Sequence, residues 1–128
     1  MRIKITLLGN PYSTNSIYRH ARGISYMSKK GRELKQSYVE QSKKQYKIKP
    51  KKENLHIEIH LYFGDDRIRD WDNYHKISMD ALTGIVWEDD SQIQIATVEK
   101  HKDKLNPRIE LTISKHINGG RQTKDINI

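Results

Sequence analysis

The sequence contains no cysteine. That excludes a disulfide framework, a thiolate zinc site, an iron–sulfur cluster and a cysteine nucleophile. Apolar residues are scarce, at 34% with a mean hydropathy of -0.90, and no run approaches the ~18 residues needed to span a bilayer. The amino terminus, Met1-Arg2-Ile3-Lys4, alternates instead of building the apolar core of a signal peptide. The expectation is a soluble cytoplasmic protein with no membrane partner. A chain of 128 residues fits one domain, able to bury roughly two-thirds of its unfolded surface.

What the chain does have is charge. Lys and Arg number 24 against 16 Asp and Glu, a net charge of +8, so the overall field attracts polyanions, nucleic acid first among them. The two signs are segregated: bases dominate Arg19–Lys52, and acids gather between Asp65 and Asp90. An acidic island in a basic protein suits a divalent cation.

Periodicity gives the coarse organisation. Residues 2–8 alternate and read as a half-buried strand ended by Gly9-Asn10-Pro11, and Tyr12–Lys30 reads as a long ordered loop. Residues 32–48 place Leu34, Tyr38, Gln41 and Gln45 at helical spacing before Pro50. Leu55–Phe63 is the clearest strand, with His56 and His60 on its polar, solvent-facing side. A second helix is expected from about Asn73 to Thr83, with Asp72 as N-cap, Gly84 as the C′ residue and Ile77 and Ala81 facing the core. Residues 91–100 and 108–115 complete the strands. The predicted fold is α+β, a small mixed sheet with two helices packed on it, in a domain over 1–116 followed by a flexible tail over 117–128.

The chemistry concentrates in Arg69-Asp70-Trp71-Asp72-Asn73-Tyr74-His75-Lys76 and in Asp80-Ala81-Leu82 through Trp87-Glu88-Asp89-Asp90. Asp70 and Asp72 are two apart, so in extended chain both carboxylates point to one side, and like charges so crowded call for a cation. Oxygen donors without cysteine suit Mg²⁺ or Mn²⁺, with Asp89-Asp90 able to complete the set. Plainer roles stay open: Asp72 as a helix cap, Asp72–Lys76 as a surface ion pair, Asp89-Asp90 as a turn, and Asp80 as helix support. The six histidines show no metal-ligand spacing such as His-Glu-x-x-His.

The pattern Asp70-x-Asp72-Asn73-x-x-Lys76-x-x-x-Asp80-Ala81-Leu82, followed by Trp87-x-Asp89-Asp90-x-Gln92, resembles the RusA family of Holliday junction resolvases. So does the stretch Pro11-x-Ser13-x-Asn15-x-x-Tyr18-Arg19-His20-x-Arg22-Gly23, with Ser28 and a helix opening at Gly31-Arg32. The resemblance spans residues 3 to about 114. It implies a small endodeoxyribonuclease of phage or prophage origin, a homodimer that cuts a four-way junction at paired phosphodiesters using Mg²⁺ or Mn²⁺. Carried over by position, Asp70, Asp72 and Asp90 are the catalytic, metal-holding carboxylates and Lys76 the catalytic lysine, with Asp80 and Asp89 in support. Tyr18, Arg19, His20, Arg22, Lys29, Lys30, Arg32 and Arg69 are the candidate DNA contacts. Arg19 and Arg22 can equally serve loop-stabilising ion pairs. Asp65-Asp66 departs from the family pattern, which is commonly more basic there. A flap or fork nuclease, or a junction-binding protein without catalysis, is the competing expectation.

Overall fold

A computed structural model describes residues 2–14 and 18–117. Its main sheet has four strands, β1 (Arg2–Leu8), β4 (Leu55–Phe63), β5 (Ile93–Lys102) and β6 (Arg108–Lys115), in the spatial order β1-β6-β4-β5. The β1–β6 and β6–β4 pairs are antiparallel and β4–β5 is parallel. The sheet is therefore mixed, and helices α1 (Lys29–Gln45) and α2 (Lys76–Leu82) pack together on one side of it. Ile5, Leu111 and Ile59 lie in one cross-strand row, and Leu7, Ile109 and Leu61 in the next. These rows, with Tyr38, Ile77, Ala81, Leu82, Val86 and Trp87, form the buried core. Among the described residues no helix is long and apolar enough to cross a membrane.

The strands of residues 2–8, 55–63 and 108–115 fall where alternation places them. The region expected as a loop over 12–30 instead contains a hairpin, β2 (Tyr18–Ala21) and β3 (Ile24–Met27). Arg22 and Gly23 form its two-residue turn with φ of 53° and 75°, the doubly left-handed geometry whose twist suits a hairpin. The hairpin buries neither face fully, and Ile24 and Tyr26 are exposed. Its strands therefore lack the apolar alternation that marks a half-buried strand. Asn15 and the 118–128 part of the expected tail lie outside the described residues, as does the Tyr18 side chain.

Helix α1 begins one turn before the expected 32–48, because Ser28 caps it: its Oγ accepts the Gly31 N–H at 3.1 Å. It also ends earlier, at Gln45. The buried Tyr46 ring turns the chain inward and its hydroxyl donates to the Lys49 carbonyl at 2.8 Å. Gln41 and Gln45 lie on the stripe that faces the sheet for a polar reason. The amide of Gln45 accepts the Thr6 N–H at 2.8 Å and donates to the Thr6 carbonyl at 2.7 Å. Gln41 likewise accepts the Leu8 N–H at 2.7 Å. The helix thus pairs the free backbone of edge strand β1, which would otherwise template association.

Parallel strands β4 and β5 require a crossover, which occupies residues 64–92 and carries α2. Its first anchor is Arg69, whose guanidinium is bidentate to Asp65 at 2.7 and 3.1 Å and lies 4.4 Å from the Phe63 ring centre. Lys100 on β5 donates to the Arg69 carbonyl. The second anchor is the buried Gln92. Its Oε1 accepts the N–H groups of Glu88 and Asp89 at 2.9 and 2.8 Å, and its Nε2 donates to the carbonyls of Lys51 and Glu53 at 2.8 and 2.9 Å.

Two expectations follow. Gln92→Leu keeps the volume but strands the Asp89 N–H and the Glu53 carbonyl, while the Glu88 N–H keeps its 3.2 Å bond to the Lys51 carbonyl, and should cost about 3 kcal/mol. Urea denaturation measures this, and a variant as stable as the parent would dissolve the second anchor. At the first anchor, the Arg69 guanidinium and the Arg67 N–H hold the Asp65 carboxyl down to about 2. A depressed carboxyl contributes stability above its unfolded pKa of about 4, and that contribution is lost as pH falls toward about 2. Asp65→Asn should therefore lower stability at neutral pH and flatten the pH 4 to 2 limb, both read from denaturation midpoints across a pH series.

Candidate active site

The crossover does not form the single helix expected over 73–83. Asp70 stands at the N-cap position of a 3-10 turn, Trp71–Asn73, without a side-chain capping bond, and α2 starts only at Lys76. The N-cap position of α2 is His75, which makes no side-chain capping bond. Asp72 is therefore not a helix cap, and its carboxylate stays on the surface inside the 3-10 turn. The helix ends as its sequence requires. Thr83 is the C-cap, and Gly84 follows at φ +92°, a conformation glycine adopts without strain.

Asp90 arrives from the far end of the crossover. It opens a second 3-10 turn, Asp90–Gln92, capped by Asp89. That turn delays β5 to Ile93, two residues later than alternation suggests. Asp89 is occupied by the cap: its carboxylate accepts the Ser91 N–H at 3.1 Å and the Ser91 hydroxyl. These Ser91 bonds also pull its pKa below the ordinary carboxylate value. Asp90 is held differently. Its Oδ1 accepts from the Thr83 hydroxyl at 2.6 Å and from the indole N–H of the fully buried Trp87 at 3.3 Å. Both bonds fall on one oxygen, so they fix the carboxylate without consuming the other. Outer-shell donors of this kind orient metal-binding carboxylates.

Asp72 and Asp90 line one open cleft of about 440 Å³ together with Thr14, Asn73, His75, Lys76, Met79, Asp80, Ile93 and Ala96. The structure thus brings together four of the six residues singled out as catalytic or supporting. Asp70 sits two residues from Asp72 at the start of the same turn and does not line the cleft. Asp89 is also outside it, in its capping role. Lys76 pairs forward with Asp80 at 3.8 Å, one helical turn on, and not with Asp72. The cleft carboxylates, the Asn73 amide and the Thr14 hydroxyl offer oxygen donors, which fit Mg²⁺ or Mn²⁺ and not a thiolate metal, and His75 adds an imidazole.

His75 and Thr14 belong to the cleft without having been singled out in the sequence. Burial lowers the His75 pKa and keeps its imidazole neutral, and its ring stacks near Trp71 at 6.5 Å. Thr14 donates to the Asn73 carbonyl at 3.0 Å, tying the segment after β1 to the 3-10 turn. Only their flanking of the motif residues hinted at either.

The basic candidates divide. Arg19, His20 and Arg22 are exposed on the β2–β3 hairpin, and Lys29, Lys30 and Arg32 follow in the first turn of α1. Lys30 lies 3.9 Å over the Tyr12 ring, and Arg32 donates to the Met27 carbonyl at 2.8 Å. Arg69 is different: with 9% of its side chain exposed and both guanidinium arms on Asp65, it is a positioning residue of the crossover. The acidic island likewise splits. Asp65 and Asp66 are taken up by Arg69 and Lys102, away from the cleft, where Asp80 pairs with Lys76.

One histidine expectation is also corrected. His56 and His60 are half-buried, because β4 is an interior strand flanked on both sides. The absence of a metal-ligand spacing concealed a spatial group, since His60 meets Glu99 and His101 from β5.

Comparison with known proteins agrees with this arrangement. The family model described as endodeoxyribonuclease RusA matches residues 9–114. The crossover junction endodeoxyribonuclease of Enterobacteria phage 82 is 34% identical over 106 residues, covering 82% of this chain and 88% of that protein. The proteins of that name from Escherichia coli strain K12 and Shigella sonnei strain Ss046 are each 33% identical over the same length and with the same coverage. The matched segment runs from the end of β1 into β6 and contains the whole crossover, and the chain belongs to the RusA family.

Proposed function

We propose that the chain is a metal-dependent endodeoxyribonuclease that resolves four-way DNA junctions as a homodimer, cutting symmetrically placed phosphodiesters. The observation that carries this reading is the shared cleft of Asp72, Asp90, Lys76 and Asp80. These residues come from both ends of one crossover, in a family whose relatives are named crossover junction endodeoxyribonucleases. A four-way junction offers paired equivalent phosphates, which an isologous two-fold dimer matches.

Asp72 and Asp90 would hold Mg²⁺ or Mn²⁺, with Asp70 close enough in sequence to join them. When bound, such an ion supplies Lewis-acid polarisation of the phosphate and acidifies a coordinated water. The protein's own contribution is orientation and charge. Thr83 and Trp87 fix the Asp90 carboxylate. Asp80 holds the Lys76 ammonium at 3.8 Å, where it can stabilise charge developing on the phosphate. Arg19, His20, Arg22 and Tyr18 on the hairpin, with Lys29, Lys30 and Arg32 of α1, would grip the backbone, so that the junction is read through shape more than through base edges.

Asp72→Asn and Asp90→Asn should stay folded and bind a synthetic four-way junction in EDTA as tightly as the parent or tighter. Each should cut at least about a hundredfold more slowly in Mg²⁺, a loss of about 2.7 kcal/mol. Lys76→Ala should lose cleavage and keep binding, whereas Asp80→Asn should be milder. Variants that bind poorly, or that cut in proportion to the junction they bind, would make these residues structural and defeat the reading. Junction binding without metal should also fall steeply with salt. Neutralising about six phosphates gives a log–log slope near about -5, and a flat response in a filter-binding series would remove the basic hairpin and α1 from the interface.

A further inference from the structure

The opposite face of the sheet carries a second set of potential ligands. In the parallel register of β4 and β5, His60 is opposite Glu99 and Tyr62 is opposite His101. One ligand atom from each of His60, Glu99 and His101 lies within 4.8 Å of the other two. The Nδ1 of His60 is 2.8 Å from the Nε2 of His101, and that Nε2 is 3.4 Å from the Glu99 carboxylate. The cleft residue Ala96 is opposite Ile57 on the core side of β4. The histidine group therefore lies across the sheet from the nuclease cleft and shares none of its residues.

A direct hydrogen bond explains the imidazole contact alone but not its surroundings. His60 turns its Nδ1 to His101, while its Nε2 lies 3.9 Å from the Glu58 carboxylate. A ligating histidine commonly shows this arrangement, one nitrogen to the ion and the other toward a carboxylate. His101 is held in plane by Tyr62, stacked at 4.5 Å and 16°. The Arg108 guanidinium covers the other side of Tyr62 at 3.7 Å. Arg108 is itself matched by Asp103 and Glu110 at 2.8 and 2.7 Å, so its charge is largely compensated. Both rings keep about a quarter of their surface, 26% and 27%, open to solvent, which gives an ion a route in.

We propose that His60, Glu99 and His101 form a binding site for Zn²⁺, with three protein ligands and a fourth position for water. Two imidazoles and one carboxylate match the borderline preference of Zn²⁺ and not the all-oxygen preference of Mg²⁺. Tetrahedral coordination at about 2.0–2.1 Å places two ligand nitrogens about 3.3 Å apart. The rings must therefore part by about half an ångström, within the reach of partly exposed side chains. The ion would join edge strand β5 to β4 in mid-sheet, stapling the strand that follows the 3-10 turn opened by Asp90.

The test is Zn²⁺ titration of the full chain by calorimetry, with Zn²⁺ itself as the probe. The Asp72→Asn/Asp90→Asn double variant should keep one equivalent of bound Zn²⁺. His60→Gln and His101→Gln should each weaken that binding at least about tenfold, and Glu58→Gln by about tenfold through loss of orientation. The histidine variants should retain the parent's circular dichroism and Mg²⁺-dependent junction cleavage. Imidazole nitrogen resonances of the parent give a readout that needs no variant: Zn²⁺ should shift those of His60 and His101 and leave His75 unmoved. The inference is overturned if no Zn²⁺ binds, if binding disappears in the double aspartate variant and survives in the histidine variants, or if the His60 and His101 resonances do not move.

Discussion

The parallel pairing of β4 with β5 is the constraint on which the remaining architecture depends. Neighbouring strands that run the same way cannot be joined by a tight turn, so the chain must leave the sheet after Phe63 and return at Ile93. Everything acidic in the cleft lies on that excursion. Its two ends lie at opposite ends of the strands, since Phe63 pairs with Lys102 and Ile93 with Leu55, so the excursion must run back along the sheet, and in doing so it brings Asp72 and Asp90 to one cleft. Buried Trp87 and Leu82 pin the middle of the excursion to the core, while Arg69 and Gln92 fix where it departs and where it returns.

Charge is arranged on the same plan. A chain with a net charge of +8 must keep its acids from cancelling its own attraction for a polyanion. Several acids outside the cleft are matched locally, Asp65 by Arg69, Asp66 by Lys102, and Asp103 and Glu110 by Arg108. The exposed bases of the β2–β3 hairpin and the start of α1 remain available to phosphate. A hairpin that buries neither face suits such work, since its stability rests on the twist of its turn and not on a core its side chains would have to enter.

The parts of the fold that were legible in the sequence are those in which one face of an element is buried. Leu55 to Phe63 alternate strictly because every second residue enters the core, and Gly84 marks a helix end because only its backbone tolerates φ +92°. The hairpin left no such trace. The second helix was misread for a related reason: Asp72 has the chemistry of an N-cap, but the 3-10 turn from Trp71 to Asn73 lets the carboxylate remain at the surface. Among the candidate site residues, Asp72, Lys76, Asp80 and Asp90 were readable through motif spacing. Arg69 looked like a phosphate ligand, since the bidentate partner four residues upstream is visible only once the chain turns back over Phe63. The His60–His101 contact, 41 residues apart in sequence, depends on the register of two parallel strands and has no local signature.

That register turns on a single irregularity. Leu55 pairs with Ile93, but His56 pairs with Ile95, so β5 advances by one extra residue at the base of the sheet. An inserted residue of this kind exchanges the two faces of everything beyond it. Because of it, Ile93 and Ala96, although of opposite parity, both line the cleft. Because of it too, the odd-numbered residues that follow, Glu99 and His101 among them, stand on the side of His60 and Tyr62 and not among the core residues Ile59 and Leu61. In the unshifted register Glu99 and His101 would take the places of Lys100 and Lys102 opposite Leu61 and Phe63, away from His60, and Val98 would lose its contact with the core. The irregularity at Leu55/His56 therefore completes the wall of the cleft on one face of the sheet and assembles the histidine group on the other, so a slip of one residue in β5 would undo both.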